Sequence, residues 1–292
     1  MRNILRNERD RLLAVAFSAL LAAGWSLSSH AQVSCTIENW QVGGASGAVN
    51  LTNANAGSPN ESAPVGGNFR RYGGPCAMRV PVDGTARYVR DGSPSAESAY
   101  LARFYVFLDS AGNQDVRIFE ALDSSDQAQF AVWYLPGTDA IALDVATASG
   151  TEAIEVTDIG NGWHSILVQW SSGESAVIGL GVNEDIPTAS ANFDTSGRSI
   201  HEVRLGNVIG VSGGAGAYID FDDMDSRRIS VPERLLVGDA NNDGVIDGGD
   251  NIALLIERLS PTLAPGQPDC NEDGVIDGGD NICLLIKRLS PQ

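Results

Sequence analysis

Residues 162–170 read GWHSILVQW. Apolar, aromatic and β-branched residues fill a nine-residue run, with Gly on one side and Ser-Ser-Gly on the other. That composition between turn residues is the signature of a β-strand. The same kind of run recurs in both directions: Tyr100–Leu108 (YLARFYVFL), Val116–Leu122, Gln129–Leu135, Ala140–Ala146, Ala176–Val182 and His201–Leu205. No stretch between residues 32 and 230 has the 3.6-residue periodicity of an amphipathic helix. Many short strands at intervals of 10–20 residues predict a mainly β fold, an antiparallel sandwich or jelly roll. The stretch Gly43–Gly74 is poor in apolar residues and rich in Gly, Asn and Ser, so it is expected to be a long loop. Trp163 and Trp170 are expected to pack in the core, and His164 to lie on a strand surface.

The run Asp220, Asp222, Asp223, Asp225 falls in another apparent strand. Strict alternation places Asp220, Asp222 and Met224 on one face, with Phe221, Asp223 and Asp225 on the other. The expectation is a solvated edge strand rich in charge, with a bound metal cation near Asp220–Asp225 as the alternative.

The order of these motifs resembles the laminin-G/concanavalin-A-like jelly roll over about 98–228. There a W-H-x-h-x-h-x-W strand (Trp163–Trp170), an L-G strand (Leu205-Gly206) and a closing F-D-D strand (Phe221-Asp222-Asp223) follow one another.

The tail obeys a different rule. Gly238–Pro261 (GDANNDGVIDGGDNIALLIERLSP) returns thirty residues later as Pro268–Pro291 (PDCNEDGVIDGGDNICLLIKRLSP), and five of 24 aligned positions differ. These are Gly238/Pro268, Ala240/Cys270, Asn242/Glu272, Ala253/Cys283 and Glu257/Lys287. Each copy sets oxygen-bearing side chains at loop positions 1, 3, 5, 9 and 12, with Gly at position 6. A hard divalent cation that takes six to eight oxygens needs such a wrapping chain, which points to calcium. Asp239, Asn241, Asp243, the Val245 carbonyl, Asp247 and Asp250 form the first expected ligand set. Asp269, Asn271, Asp273, the Val275 carbonyl, Asp277 and Asp280 form the second, so two Ca²⁺ ions are expected. Position 12 is Asp, not the usual Glu, so the loop must tighten or the following helix must shift inward. After the loops, Ile252, Leu255, Ile256 and Leu259, and again Ile282, Leu285, Ile286 and Leu289, make apolar stripes at i, i+3, i+4 and i+7. The two stripes are expected to face each other antiparallel.

This tandem pattern resembles a type I dockerin, a small α-helical, EF-hand-like calcium module of polysaccharide-degrading assemblies, over about 238–291. The resemblance implies a cohesin-like protein or a polysaccharide as partner. In that family, positions 10 and 11 help select the cohesin. Here they are Gly248-Gly249 and Gly278-Gly279, which have no side chains for such contacts, so cohesin docking carries over only weakly.

Residues 1–31 read as a secretory signal peptide: Arg2, Arg6, Arg9 and Arg11, then an apolar run Leu12–Leu27, then Ser29-His30-Ala31. An exported chain, secreted or at the cell surface, with a β-sandwich over 32–230, a linker at 231–237 and a calcium module over 238–292 follows. No other segment could span a bilayer. Without residues 1–31, 15 of the 19 basic and 35 of the 37 acidic residues remain, a net charge of −20. Nucleic acid and anionic membranes are poor partners for such a chain. Four cysteines in an exported protein predict two disulfides, of which Cys35–Cys76 and Cys270–Cys283 fall within modules. The first repeat has Ala240 and Ala253 at the positions of the second pair.

No catalytic motif is present. Jelly-roll glucanases carry E-x-D-x-x-E on one strand, which is absent, as are a G-x-S-x-G elbow, HExxH and a Gly-rich phosphate loop. Glu152 and Glu155 lie on opposite faces of a strand. The function expected is non-catalytic recognition or anchoring in extracellular polysaccharide handling. The alternatives are an O-glycosyl hydrolase and a structural surface or matrix protein.

Overall fold

The computed structural model describes residues 51–54, 59–60, 70–74, 77–259 and 264–290. The expected signal peptide and the expected Cys35–Cys76 bridge lie outside them. Among the described residues, fourteen strands form two seven-stranded antiparallel sheets, a mainly β jelly-roll sandwich. The first sheet runs β1 (Leu51–Ala54), β4 (Arg87–Asp91), β13 (Glu202–Asn207), β6 (Val116–Leu122), β7 (Ala128–Leu135), β8 (Ala140–Thr147), β9 (Gly150–Thr157). The second runs β12 (Ala189–Phe193), β11 (Ala176–Val182), β10 (Trp163–Ser171), β5 (Ala99–Phe107), β14 (Tyr218–Arg227), β3 (Ala77–Pro81), β2 (Pro59–Asn60). The helices α1 (Gly248–Leu259) and α2 (Gly278–Leu289) follow. Among the described residues no helix is long and apolar enough to cross a membrane.

Alternation along each strand sends one set of side chains between the sheets. From β5 come Ala102, Phe104 and Val106, from β10 Ile166, Val168 and Trp170, and from β6 and β7 Phe119, Phe130 and Val132. The Phe104 and Phe119 rings stack at 5.2 Å across this core. Trp170 is buried there, as expected. Trp163 is also buried, but on the outer side of the second sheet.

Three expectations are corrected. His164 is not on a surface: it shares the inward face of Ile166, Val168 and Trp170 and is almost wholly buried, with Nδ1 3.2 Å from Asn183 Nδ2. The acidic strand is not an edge, because β14 lies between β5 and β3. A register shift between Asp222 and Asp225 breaks its alternation, so Phe221 and Met224 both join the core, as a bulge does. Asp220 and Asp222 are buried on the opposite side. Both Asp220 oxygens accept from the Arg79 guanidinium, at 2.7 and 2.8 Å. Asp222 accepts backbone N–H bonds from Tyr72, Gly73 and Asp223. These oxygens hold protein groups in place and leave little for a third cation. Finally, the stretch expected as one long loop contains β1 and β2, which pair with β4 and β3. Sheet edges are made by backbone bonds, which apolar content does not report.

Sandwich and tail belong to one compact unit. The outer side of the second sheet presents Arg103, Tyr105, Phe107 and Trp163, and all are covered. Tyr72 stacks on Tyr105 with centroids 3.9 Å apart, and Trp163 meets both Tyr72 and Phe107 edge-on. Val237 and Leu235 complete this second cluster. Residues 232–237 lie against the sheet. Arg103, fully buried, donates to the carbonyls of Pro232 (2.9 Å) and Glu184 (3.0 Å) and to Ser165 Oγ (2.6 Å). The Leu235 N–H donates to the Tyr105 hydroxyl at 2.6 Å. This explains why YLARFYVFL is apolar apart from Arg103: both faces of β5 are buried.

Candidate metal centre

The two acidic loops fold alike, bond for bond. At position 1, Asp239 accepts from the N–H groups of Asp243 (3.1 Å) and Gly244 (2.8 Å). Asp269 accepts from Asp273 (3.2 Å) and Gly274 (2.7 Å). At position 12, Asp250 accepts from Asn241 and Asp247, and Asp280 from Asn271 and Asp277. The short Asp therefore ties positions 3 and 9 to the helix start, drawing the helix onto the loop. Asp277 and Asp280 double as a capping box for α2. Gly244 (φ +84°) and Gly274 (φ +83°) occupy the left-handed region that the sharp turn at position 6 demands.

The donor set suits a hard cation in three respects. Asp239, Asp250, Asp269 and Asp280 are buried, and among the described residues no Arg or Lys forms a salt bridge with any of them. Burial, and then the Asp280 carboxylate beside it, pushes Asp269 up to about 8. Burial likewise raises Asp280. A buried cluster of like charges with no counter-ion is unfavourable unless it is protonated or a cation enters. The third observation is steric. A Cβ at Gly249 would lie 2.8 Å from Asn241 Nδ2 and 3.0 Å from Asp247 Oδ1, and one at Gly279 would meet Asn271 and Asp277 at 3.1 Å. Position 11 is glycine because the side chains of positions 3 and 9 close over it. The side chains are not gathered into a finished shell. Among the described residues no three His, Cys, Asp or Glu converge as metal ligands, and Asp243, Asp247, Asp273 and Asp277 remain exposed.

Ile246 and Ile276 pack with Ala240, Leu254, Cys270 and Leu284 in a small core shared by the two repeats. Cys270 and Cys283 form the expected disulfide, with Cα atoms 5.8 Å apart. The expected face-to-face packing of the apolar stripes is not found. The helices bury the opposite edge, through Asp250, Leu254 and Glu257 in α1 and Asp280 and Leu284 in α2. All eight stripe residues are exposed.

Sequence reasoning missed what the repeat differences do. Glu272, where the first copy has Asn242, reaches the sandwich: its Oε1 accepts from Tyr72 Oη (2.6 Å) and Arg234 Nη2 (2.7 Å). Its carbonyl accepts from the Trp163 N–H at 2.9 Å. Lys287 donates to the Val237 carbonyl at 3.0 Å. Its counterpart Glu257 pairs with Arg71 and accepts the Ala264 N–H at 2.9 Å. Cys270 and Cys283 close the second loop onto its helix. The shared positions thus build the loops, and two of the five differing ones, 242/272 and 257/287, fasten the pair to the rest of the chain. The pattern of divergence was the available signal.

No protein-family model and no curated protein matches the chain. Solved structures with a similar fold include the binding domain of botulinum neurotoxin serotype D (TM-score 0.41, 9 % identity, 53 % of this chain and 40 % of that one). They also include an endo-β-1,4-glucuronan lyase from Trichoderma reesei (0.42, 11 %, 60 % and 89 %). A third is the heptameric SAP-like pentraxin from Limulus polyphemus (0.39, 16 %, 51 % and 74 %). The chain spans only about two fifths of the neurotoxin domain's length. At these identities the likeness is one of β-sandwich architecture alone.

Proposed function

We propose that this is an exported, non-catalytic recognition or anchoring protein of extracellular polysaccharide handling, whose tail is organised by two Ca²⁺ ions. The observation that supports it best is the pair of congruent loops, each with buried carboxylates that no Arg or Lys among the described residues pairs with. Asp239, Asn241, Asp243, the Val245 carbonyl, Asp247 and Asp250 would hold one ion. Asp269, Asn271, Asp273, the Val275 carbonyl, Asp277 and Asp280 would hold the other. The cation neutralises the loops and so lets the position-1 and position-12 carboxylates stay ionised while buried. Because the second loop bears on the sandwich through Glu272, its ion would also steady the tail against the second sheet. Of the two partners, a polysaccharide suits the chain better than a cohesin-like protein, since glycines stand at loop positions 10 and 11. Co-sedimentation with a panel of polysaccharides, in calcium and in chelator, tests this. Calcium-dependent retention without release of reducing ends is expected; no retention on any of them would refute it.

One observation favours hydrolysis as a second reading. Glu120 on β6 and Asp144 on β8 lie in one cross-strand row with Ala131 between them. Two strand spacings separate them by roughly 10 Å, near the wide limit for an inverting carboxylate pair. Glu120 is salt-bridged to Arg117 (2.9 Å) and Arg204 (3.2 Å). Burial raises Asp144. Reducing-sugar release that both Glu120→Gln and Asp144→Asn abolish would establish this reading in place of the first.

A further inference from the structure

The tail turns its most apolar faces to solvent. Ile252, Leu255, Ile256 and Leu259 on α1, and Ile282, Leu285, Ile286 and Leu289 on α2, are each between 42 and 77 % exposed. The fold does not need them there, because Leu254 and Leu284 already fill the core between the repeats. Between them these eight side chains expose on the order of 800 Å², the area each partner of a standard protein interface buries. Patches of this size on soluble proteins mark interaction sites.

The surroundings of the stripes indicate the partner. The helices run antiparallel: at the end of α1, Arg258 Nη1 donates to Asn281 Oδ1 in the first turn of α2, at 2.8 Å. At the end of α2, the Arg288 guanidinium lies 4.0 Å from where a Cβ of Gly248 would stand, in the first turn of α1. Each end of the helix pair therefore carries one arginine beside one acidic loop. Such a layer repeats itself under a half-turn and carries both signs at both ends. It does not select a partner of one charge. It does match itself, since in a two-fold pairing residue i meets j while j meets i, and an arginine of one copy can face an acidic loop of the other.

We propose that the aliphatic faces of α1 and α2 pair with those of a second copy of this chain, forming a two-fold dimer through a four-helix layer. The pairing rests on the exposed faces and not on the polysaccharide reading.

The test is sedimentation velocity and light scattering of the full protein from 1 to 100 µM in millimolar CaCl₂ (working concentrations on the order of typical interface affinities). Far-ultraviolet circular dichroism would confirm the helices. The wild type should be dimeric at the upper end. Leu255→Asp with Leu285→Asp, both at exposed positions, should weaken association about 100-fold, tenfold for each lost contact. Its melting temperature and helix content should not change. Leu254→Ala, in the repeat core, separates folding from association: it should lower the melting temperature and leave the folded fraction dimeric. A wild type that stays monomeric at 100 µM with intact helices overturns the proposal. So does a Leu255→Asp/Leu285→Asp variant that dimerises as before.

Discussion

Glu272→Asn puts into the second loop the residue that the first loop carries at the same position, and it should loosen the tail from the sandwich. The backbone there has φ +59°, which Asn tolerates better than Glu, so any lost stability reports contacts and not strain. Two charge-assisted bonds disappear, from Tyr72 Oη and Arg234 Nη2. A hydrogen bond to a charged group is worth about 1.5–3 kcal/mol, and a buried polar group left without a partner costs about 1–3 kcal/mol. Tyr72 is wholly buried, so its hydroxyl bears the full cost. Arg234 and Glu272 keep part of their side chains in solvent, so their pair contributes less. The expected loss is about 2–3 kcal/mol, or about 4–12 °C in Tm for a domain of this size. Differential scanning calorimetry in millimolar calcium measures it. Asn242→Glu, at the matching exposed position of the first copy, should change stability by less than about 0.5 kcal/mol. A cycle with Tyr72→Phe should show coupling of about 1 kcal/mol or more. If Glu272→Asn melts like the wild type, Glu272 does not fasten the tail as described.

Replacing Cys270 and Cys283 by alanine, as the first repeat has them, should cost about 3 kcal/mol by the chain-entropy relation for a closed loop of this length, read by urea unfolding with calcium held constant. Gly249→Ala or Gly279→Ala pushes a methyl group onto the side chains of positions 3 and 9. Each should weaken one calcium site about tenfold or more without a comparable change at the other, measured by competition with a chromophoric chelator. His164 predicts a pH dependence. Its burial lowers the pKa below the ordinary histidine value, so below about pH 6.5 the unfolded chain takes up a proton that the native one refuses. Stability is full above that pH and falls as pH drops toward the native pKa, by at most about 1.4 kcal/mol per pH unit. Denaturant unfolding between pH 7.5 and 5 should show this slope, and His164→Gln should flatten it.

The strands were legible because burial on both faces leaves a nearly continuous apolar run, as in YLARFYVFL, broken only by Arg103, where Phe104 faces the core and Tyr105 the tail. The same two-sided burial hid His164: period two groups it with Ile166 and Val168, but the run does not tell which parity faces inward when both faces are covered. Asp220 and Asp222 looked solvated because their partners, Arg79, Tyr72 and Gly73, lie more than 140 residues away. Local composition cannot report such a pairing. The two loops repeat in structure as they do in sequence because their bonds are local, closing within about a dozen positions. The helix stripes were half legible. Periodicity identified an apolar face, but not that Leu254 and Leu284 on the other edge would fill the core.

On the proposed reading, the tail is built around two cations. Calorimetric titration of the chelator-stripped full protein with CaCl₂ tests it most directly. Two ions per chain are expected, and Asp239→Asn and Asp269→Asn should each remove one. No heat and no bound ion at millimolar calcium would contradict it, as would binding that survives both substitutions together.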